Sequence, residues 1–326
     1  PIFWAQTAFP ETKSLNVIQS VVYDCAFKSA ENMLICAPTG AGKTNIALLS
    51  ILQLVGSHMD EKGRIDISKF KAVYIAPMKA LVSEIVGALS RRLGSMGLTV
   101  KELTGDAQLS RAELEEAQVI VATPEKWDIV TRKAGDKFFL DQVQLLIIDE
   151  IHLLHDSRGP VLESIVARTI RHTELSGNHI RLIGLSATLP NYQDVADFLR
   201  VQSTGLFFFD ATYRPIPLEQ LYVGITDKKG LKKMLLMKEI LYQKVMERIG
   251  KQQILIFVHS RRETSKTAKE IRDQAYANDD LAKFIREDSA SKAVLTAEAE
   301  NCKNADLKEL LPLGIAIHHA GLSRED

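Results

Sequence analysis

The sequence has few of the features that mark specialised classes of protein. Its 326 residues include three cysteines, Cys25, Cys36 and Cys302, which lie far apart and form no CxxC motif. This excludes a disulfide framework or a zinc ribbon and fits a reducing compartment. The formal net charge is +0, which excludes a purely electrostatic polyanion binder of the histone type. No apolar run approaches the roughly 18 residues of a membrane span, and no basic segment of a signal peptide opens the chain.

The length predicts about two domains at roughly 100–200 residues each. Hydrophobic residues make up 46% and charged residues 25% of the chain, which is typical of globular proteins. Because Pro1 stands where an initiator Met is expected, we expect the chain to be a piece of something longer.

Short apolar, β-branched runs alternate with longer helical patterns such as Asn45–Gly56 and Leu81–Leu93. The predicted strands are Asn32–Cys36, Ala72–Ala76, Gln118–Ala122, Gln144–Ile148, Arg181–Leu185 and Gln253–Val258. Runs without strict alternation are typical of strands buried on both faces. The pattern therefore predicts an α/β fold of right-handed βαβ units around parallel sheets. Ligands of such sheets bind beyond the carboxyl ends of the strands.

Two prolines in Thr212–Pro217 interrupt the pattern and predict an extended connector. We assign a first domain to residues 1–211, a linker to 212–219 and a second domain to 220–326. The second domain is predicted to contain a helix at Leu231–Ile249 and helix plus loop at Asp279–Asn304. Its last segment, Ile315–Asp326, is predicted to be a strand followed by a turn. Because a domain that stopped there would be unfinished, we expect the second domain to be incomplete.

The segment Ala37–Thr44 (APTGAGKT) stands between a predicted strand and a predicted helix, the context that a phosphate-binding loop requires. Glycines let backbone N–H groups turn toward phosphate oxygens, and the helix N-terminus adds partial positive charge. Lys43 would neutralise the β- and γ-phosphates, and the Thr44 hydroxyl would bind Mg²⁺. The predicted nucleotide-binding residues of this loop are Pro38, Thr39, Gly40, Ala41, Gly42, Lys43 and Thr44.

An acidic pair, Asp149 and Glu150, follows the predicted strand Gln144–Ile148. Asp149 is predicted to hold Mg²⁺, and Glu150 to deprotonate the attacking water. His152 either connects this site to the Ser186–Thr188 segment or packs in the core. Ser186 and Thr188 in turn either cap the helix near Asn191–Arg200 or relay the nucleotide state.

Together these segments resemble the DExH-box branch of the second helicase superfamily, within its Ski-like group of RNA helicases. Ala37–Thr44 matches motif I, Asp149–His152 (DEIH) motif II and Ser186–Thr188 motif III. Further segments with this resemblance are Leu15–Ser20, Ala76–Leu81, Leu103–Asp106, Thr123–Asp128, Asp149–Glu163, Gly184–Asn191, Leu221–Lys229, Ile256–Thr264 and Ala316–Gly321. The resemblance covers essentially the whole chain and is nearest to the first helicase cassette of the spliceosomal members.

The resemblance implies two RecA-like domains with Mg·ATP between them and single-stranded RNA across both. Gln19 would read the adenine edge, and Phe9 would either stack on the base or pack internally. The implied RNA contacts are Pro77, Lys79, Thr104, Gly105, Thr123, Pro124, Ser260 and Arg261. Contacts of this kind to RNA phosphates do not depend on the base sequence. Lys79 and Arg261 could equally be solvated surface charges.

The resemblance also implies a function, an ATP-dependent 3′–5′ RNA helicase that unwinds the U4/U6 small nuclear RNA duplex in the nucleus. Its partners would be spliceosomal U5 small nuclear ribonucleoprotein proteins, with no membrane. Motifs V and VI, which carry arginine fingers, would follow Asp326, so we expect this chain to bind nucleotide, hydrolyse it poorly and not unwind. Arginine fingers contribute about 10³–10⁵ in rate. Two alternatives are a nucleotide-binding scaffold cassette and a helicase of the activating-signal cointegrator complex acting in DNA repair.

Overall fold

The computed structural model describes residues 3–10, 12–105, 110–132, 140–323 and 325–326. Asp106, at the end of the predicted Leu103–Asp106 motif, lies outside these residues. The chain divides into two compact units, Pro1–Glu219 and Gln220–Asp326, and the proposed linker 212–219 falls within the first. Among the described residues, no helix has the length and apolar character needed to cross a bilayer.

The first unit contains a seven-stranded parallel sheet. Its strands are β1 Met33–Cys36, β2 Lys71–Ile75, β3 Val100–Leu103, β4 Val119–Ala122, β5 Val143–Ile148, β6 Arg181–Ser186 and β7 Leu206–Phe208. Their spatial order is β3-β4-β2-β5-β6-β1-β7, and every neighbouring pair is parallel. The predicted parallel α/β architecture is confirmed for this unit.

Helices cover both faces of the sheet. The described helices of this unit are α1 Phe3–Gln6, α2 Val17–Tyr23, α3 Lys43–Ser57, α4 Lys79–Leu93, α5 Arg111–Glu116, α6 Pro124–Arg132, α7 Gly159–Ser176 and α8 Tyr192–Phe198. A π-helical turn, Asp24–Lys28, extends α2, and a 3₁₀ turn, Ile151–His155, precedes α7. The 3₁₀ turn is joined to β5 by Asp149 and Glu150.

Successive residues of each central strand enter opposite cores, which explains why the strands show no polar alternation. Ile35, Tyr74 and Ile147 pack in the core that includes α2, α3 and α4. Their neighbours Leu34, Val73 and Leu146 pack in the core that includes α6, α7 and α8. Burial on both faces selects the continuous apolar runs seen in the sequence.

The first residue of β6 anchors the π-helical turn that extends α2 through one buried guanidinium. Arg181 donates to the carbonyl oxygens of Glu31 (2.7 Å), Cys25 (2.9 Å) and Ala26 (3.2 Å). These acceptors lie in or beside the π-helical turn, where the last helical carbonyls have no partner within the helix. Burial lowers the pKa of Arg181 to about 10, so the side chain remains a cation at neutral pH.

The second unit is helical in its described residues, with α9 Gly230–Arg248, α10 Arg261–Ala277, α11 Ala290–Asn301 and α12 Ala305–Leu310. The helix predicted at Leu231–Ile249 is confirmed. Ion pairs such as Lys238–Glu270 (2.5 Å) and Lys269–Asp306 (2.6 Å) join α10 to α9 and α12.

The strands predicted at Gln253–Val258 and near Ile315 are wrong. No strand is assigned in the described part of the second unit. Leu255 and Phe257 are 77% and 88% exposed. A strand requires a neighbouring strand to accept and donate its backbone hydrogen bonds, and these described residues provide none.

Candidate nucleotide and nucleic-acid site

The loop after β1 has the geometry of a phosphate cradle. Gly40 and Gly42 adopt φ of 82° and 81°, the left-handed region that favours glycine. Lys43 begins α3, and its Nζ donates to the carbonyl oxygens of Ala37 (2.9 Å) and Pro38 (3.2 Å). Thr39 and Thr44 are exposed, whereas Pro38 and Ala41 are buried. The loop therefore presents its amides and the Thr44 hydroxyl at the carboxyl edge of the sheet.

Residues at the start of α2 hold this loop in place. Gln19 Nε2 donates to the Gly42 carbonyl at 3.1 Å, and Asn16 Nδ2 donates to the Ala41 carbonyl at 2.9 Å. Gln19 Oε1 accepts from the Asn16 N–H at 3.1 Å, which completes a capping box. Gln19 is buried, so both ends of its amide are engaged within the protein. The structure thus gives Gln19 a part in shaping the loop, and adenine recognition stays a prediction.

The acidic pair lies at the end of β5. Asp149 Oδ2 accepts from the Tyr74 hydroxyl at 2.7 Å, and Asp149 Oδ1 accepts from the Glu150 N–H at 2.9 Å. Glu150 has φ of 51°, an uncommon left-handed conformation for a residue with a side chain. Such outliers occur often at functional sites, which agrees with the role predicted for this glutamate.

Burial and mutual charge shape the protonation of the site. Burial raises the pKa of Asp149, against the Tyr74 hydrogen bond and the Lys43 charge, which lower it. Burial and the Asp149 charge both raise the pKa of Glu150. Burial lowers the pKa of Lys43, and the negative charges of Glu150 and Asp149 oppose that shift. The charges of Lys43 and the acidic pair thus bear on one another's protonation, and their joint role at a bound triphosphate stays a prediction.

His152 contacts both the acidic pair and the segment after β6. The Ala187 N–H donates to His152 Nδ1 at 3.2 Å, and Glu150 Oε2 lies 3.3 Å from the same nitrogen. His152 therefore lies between the acidic pair and the segment after β6. The contact predicted between His152 and Ser186–Thr188 is present.

Ser186 is the buried last residue of β6, and its carbonyl accepts from the Ala37 N–H at 3.1 Å. Its Oγ has no hydrogen-bond partner among the described residues. Thr188 is exposed. Helix α8 begins after Asn191, with no side-chain cap. The interpretation of Ser186 and Thr188 as helix caps is therefore wrong, and the segment contacts the phosphate loop and His152 instead.

The predicted RNA-contact residues of the first unit follow three adjacent strands. Pro77 and Lys79 follow β2, Thr104 and Gly105 follow β3, and Thr123 and Pro124 follow β4. A Cβ built on Gly105 would lie 3.5 Å from Lys79 Nζ, so two of these segments meet. The strand order thus places the nucleotide residues after β5, β6 and β1 and the predicted RNA residues after β3, β4 and β2.

Not all of these side chains are accessible. Lys79 and Gly105 are exposed, whereas Pro77, Thr104, Thr123 and Pro124 are buried. The Thr104 hydroxyl donates to Glu102 at 3.0 Å. In the second unit, Ser260 caps α10 by accepting from the Glu263 N–H at 3.2 Å, and Arg261 is exposed.

The residues offer a site for magnesium bound together with phosphates. The described chain contains no group of three or more His, Cys, Asp or Glu that could hold a metal by itself. The predicted ligands, Thr44 and Asp149, supply one hydroxyl and one carboxylate. Mg²⁺ commonly takes one or two protein oxygens and completes its shell with phosphate and water, so this donor set fits.

Two residues that support the site, Asn16 and Tyr74, were not predicted from the sequence. Asn16 could have been found, because an Asn followed three residues later by Gln is a capping-box pattern. Tyr74 gave only a weak signal, namely one hydroxyl in an otherwise apolar strand, which needs a hydrogen-bond partner when buried.

Comparison with known proteins gives consistent matches. The family model described as DEAD/DEAH box helicase matches residues 16–195. The U5 small nuclear ribonucleoprotein 200 kDa helicase of Caenorhabditis elegans is 60% identical over 323 residues, covering 99% of this chain and 15% of that protein. The activating signal cointegrator 1 complex subunit 3-like protein of Dictyostelium discoideum is 56% identical over 327 residues, covering 99% of this chain and 14% of that protein. The chain thus spans about 15% of the length of the curated relatives it matches.

A solved structure of the DUF1998 helicase MrfA bound to DNA has a TM-score of 0.60 at 17% identity, covering 94% of this chain and 43% of that chain. At that identity the similarity shows the fold alone.

Proposed function

This chain belongs to the DEAD/DEAH box helicase family, and from that premise we propose that it forms the ATP-binding part of an RNA helicase. The observation that carries the proposal is the placement of the Gly40–Lys43 loop after β1 and of Asp149 and Glu150 after β5, at the carboxyl ends of two strands of one parallel sheet. A half-buried lysine and two half-buried carboxylates match the needs of a magnesium-bound triphosphate and an attacking water.

We assign the following tasks to the site residues. Gln19, which also holds the loop through the Gly42 carbonyl, recognises adenine. Pro38, Thr39, Gly40, Ala41, Gly42 and Lys43 surround the phosphates. Thr44 and Asp149 hold Mg²⁺, which supplies charge neutralisation of the phosphates when bound. Glu150 accepts the proton of the attacking water, since a carboxylate with a raised pKa is the stronger base. His152, Ser186 and Thr188 transmit the nucleotide state.

The proposed substrate is single-stranded RNA, bound at Pro77, Lys79, Thr104, Gly105, Thr123, Pro124, Ser260 and Arg261. For the whole protein we propose unwinding of the U4/U6 small nuclear RNA duplex, partners among U5 small nuclear ribonucleoprotein proteins and a nuclear location. The relative that carries the ribonucleoprotein in its name supports this assignment. Contacts to phosphate would make binding independent of sequence and weaker at high salt.

Titration with a fluorescent ATP analogue tests the nucleotide site. We expect Mg²⁺-dependent binding, which Lys43→Ala weakens by about 10- to 100-fold, because a charge-assisted contact contributes about 1.5–3 kcal/mol. Lys62→Ala, at an exposed loop residue, is the matched control and should bind normally. Equal affinity of the Lys43→Ala variant and the unchanged chain would reject the proposed site.

Two alternative functions predict different results when single-stranded nucleic acid is added to this titration. A scaffold cassette would bind nucleotide without responding to nucleic acid. A DNA-repair helicase, which the Dictyostelium relative supports, would bind single-stranded DNA in preference to RNA. In a longer protein that unwinds RNA, Lys43→Ala combined with Glu150→Gln should abolish unwinding, and retained activity would defeat the assignment.

A further inference from the structure

Arg158 lies between the acidic pair and α7 and reaches two other segments of the first unit. One terminal nitrogen of its guanidinium donates to the Pro77 carbonyl oxygen. Its Nε lies 3.4 Å from Glu125 Oε1, and the side chain is 38% exposed. One side chain thus contacts the residues after β2 and the first turn of α6.

Both contacts belong to segments that we assign to nucleic-acid binding. Pro77 is itself one of the assigned residues, and Glu125 directly follows Thr123 and Pro124. The guanidinium is planar and has five N–H donors, so it can bond in two directions at once. A lysine would keep the charge but could not reproduce this bridge.

The backbone between Glu150 and Arg158 is tightly built. The Leu153 N–H donates to the Glu150 carbonyl at 2.9 Å, and the Gly159 N–H donates to the Asp156 carbonyl at 2.9 Å. A Cβ at Gly159 would lie 2.0 Å from the Leu154 carbonyl oxygen, so the 3₁₀ turn and α7 approach as closely as glycine permits. The chain between Glu150 and Arg158 therefore contains hydrogen-bonded turns rather than a loose loop.

We propose that Arg158 is a positioning residue that couples nucleic-acid binding after β2 and β4 to the placement of Glu150 and His152. The proposal rests on the proposed function, because it needs a nucleotide site and a nucleic-acid surface on the same unit. Arg158 acts through Pro77 and Glu125 and touches neither ligand.

The test measures coupling with the whole 326-residue chain. Fluorescence anisotropy gives the affinity for labelled oligouridylate without nucleotide and with Mg²⁺ and the non-hydrolysable analogue AMP-PNP. The ratio of the two dissociation constants is the coupling factor, and it must equal the effect of RNA on nucleotide affinity. Typical coupling factors are about 5–150.

We expect Arg158→Ala to lower the coupling factor at least about fivefold, toward one, while each ligand alone binds within about threefold of the unchanged chain. Arg158→Lys should behave like Arg158→Ala, because charge without the bridge is insufficient. Arg171→Ala, which removes an exposed arginine from the adjoining helix α7, should leave coupling unchanged. Glu125→Gln weakens the bridge from its other end and should give a partial loss, which covers the case in which Arg158→Ala fails to fold.

Other outcomes overturn the inference. Unchanged coupling in Arg158→Ala rejects it, and wild-type coupling in Arg158→Lys rejects the bridge. A loss of RNA affinity that is equal with and without nucleotide makes Arg158 a direct phosphate contact. If the unchanged chain binds both ligands without coupling, the inference fails and the nucleotide site stands. If it binds no nucleotide, the proposed function itself fails.

Discussion

Tyr74 supports the carboxylate to which we assign the metal. It is fully buried in β2, and burial raises its pKa well above the usual range, so the hydroxyl remains a donor. Its hydrogen bond to Asp149 Oδ2 fixes one oxygen and leaves the other to contact the Glu150 N–H. The rotamer of Asp149 therefore depends on a side chain from the neighbouring strand.

We expect Tyr74→Phe to destabilise the fold by about 1–3 kcal/mol, because it leaves a buried carboxylate oxygen without its donor. The variant should also need more Mg²⁺ to reach half-maximal nucleotide binding. Urea unfolding and a magnesium titration measure the two effects. Tyr23→Phe, at a half-buried tyrosine stacked on Phe27, is the control, and a similar result for both variants would contradict this account.

Glu150 illustrates the conflict between stability and activity at a single residue. Its folded-state pKa is raised by burial and by Asp149. A carboxyl whose pKa is higher in the folded than in the unfolded state lowers the stability of the fold as pH rises from the unfolded-state pKa to the folded-state pKa, and the full cost persists above that pH.

We therefore expect Glu150→Gln to raise the melting temperature of the nucleotide-free chain at pH 7 and to abolish hydrolysis. The stabilisation should shrink as the pH falls below the pKa of the carboxyl, where glutamate is itself neutral. Melting curves across pH test this expectation. A variant that is less stable than the unchanged chain at neutral pH would show that the ionised carboxylate is favourable in the fold.

At the level of single residues, the sequence was most informative where one local pattern determines the geometry. The APTGAGKT loop is recognisable from its own glycines and the following helix, and the structure places it between β1 and α3 as predicted. The Tyr74 contact joins residues 75 positions apart. No local pattern reports which strand will lie beside β5, so such a contact becomes visible only in the folded sheet.

Among the elements, helix α7 begins where two backbones meet. Gly159 has no room for a side chain, since its Cβ would fall 2.0 Å from the Leu154 carbonyl. Gly87, within α4, is the opposite case, because its Cβ would meet only the end of Arg91 at 3.9 Å.

We expect Gly159→Ala to destabilise the fold by about 1–3 kcal/mol or more, since the backbone must shift to admit the methyl group. Gly87→Ala should instead stabilise it by about 0.5–1 kcal/mol, because alanine is the better helix former. Chemical denaturation of the two variants measures the contrast. Equal effects would mean that the turn before α7 can relax.

The central strands β1, β2, β4, β5 and β6 were predicted within about one or two residues, because burial on both faces leaves a continuous apolar signal. The strands β3 and β7, which lie at the two ends of the sheet, were not predicted. β3 is mostly half-buried and β7 has three residues, so neither carries that signal. The segment Gln253–Val258 has the same continuous apolar run but no neighbouring strand. The sequence pattern of one segment does not show whether a partner strand will lie beside it.

For the whole molecule, the two units differ in where their backbone N–H and C=O groups find hydrogen-bond partners. The first unit has a sheet whose inner strands are paired on both sides. The described part of the second unit has helices, small apolar clusters and ion pairs. Amide protection follows the free energy of local opening, so the units should exchange differently.

We expect amide hydrogen exchange to be slow in β5 and β6 and faster in residues 253–258, which have no strand partner. Mass spectrometry of peptides from the 326-residue chain measures both in one sample, with β7 as an edge-strand reference. Slow exchange across 253–258 would contradict the structure of that segment.

The short edges of the sheet have a consequence for solubility. An outermost strand displays unpaired N–H and C=O groups, which can recruit strands from other molecules. Here one edge, β7, offers three residues, and the other, β3, places Lys101 and Glu102 among its four. Edge strands this short or this charged offer few backbone groups to which a strand of a second copy could hydrogen-bond. A sheet with a strongly apolar interior can therefore remain dispersed at high concentration.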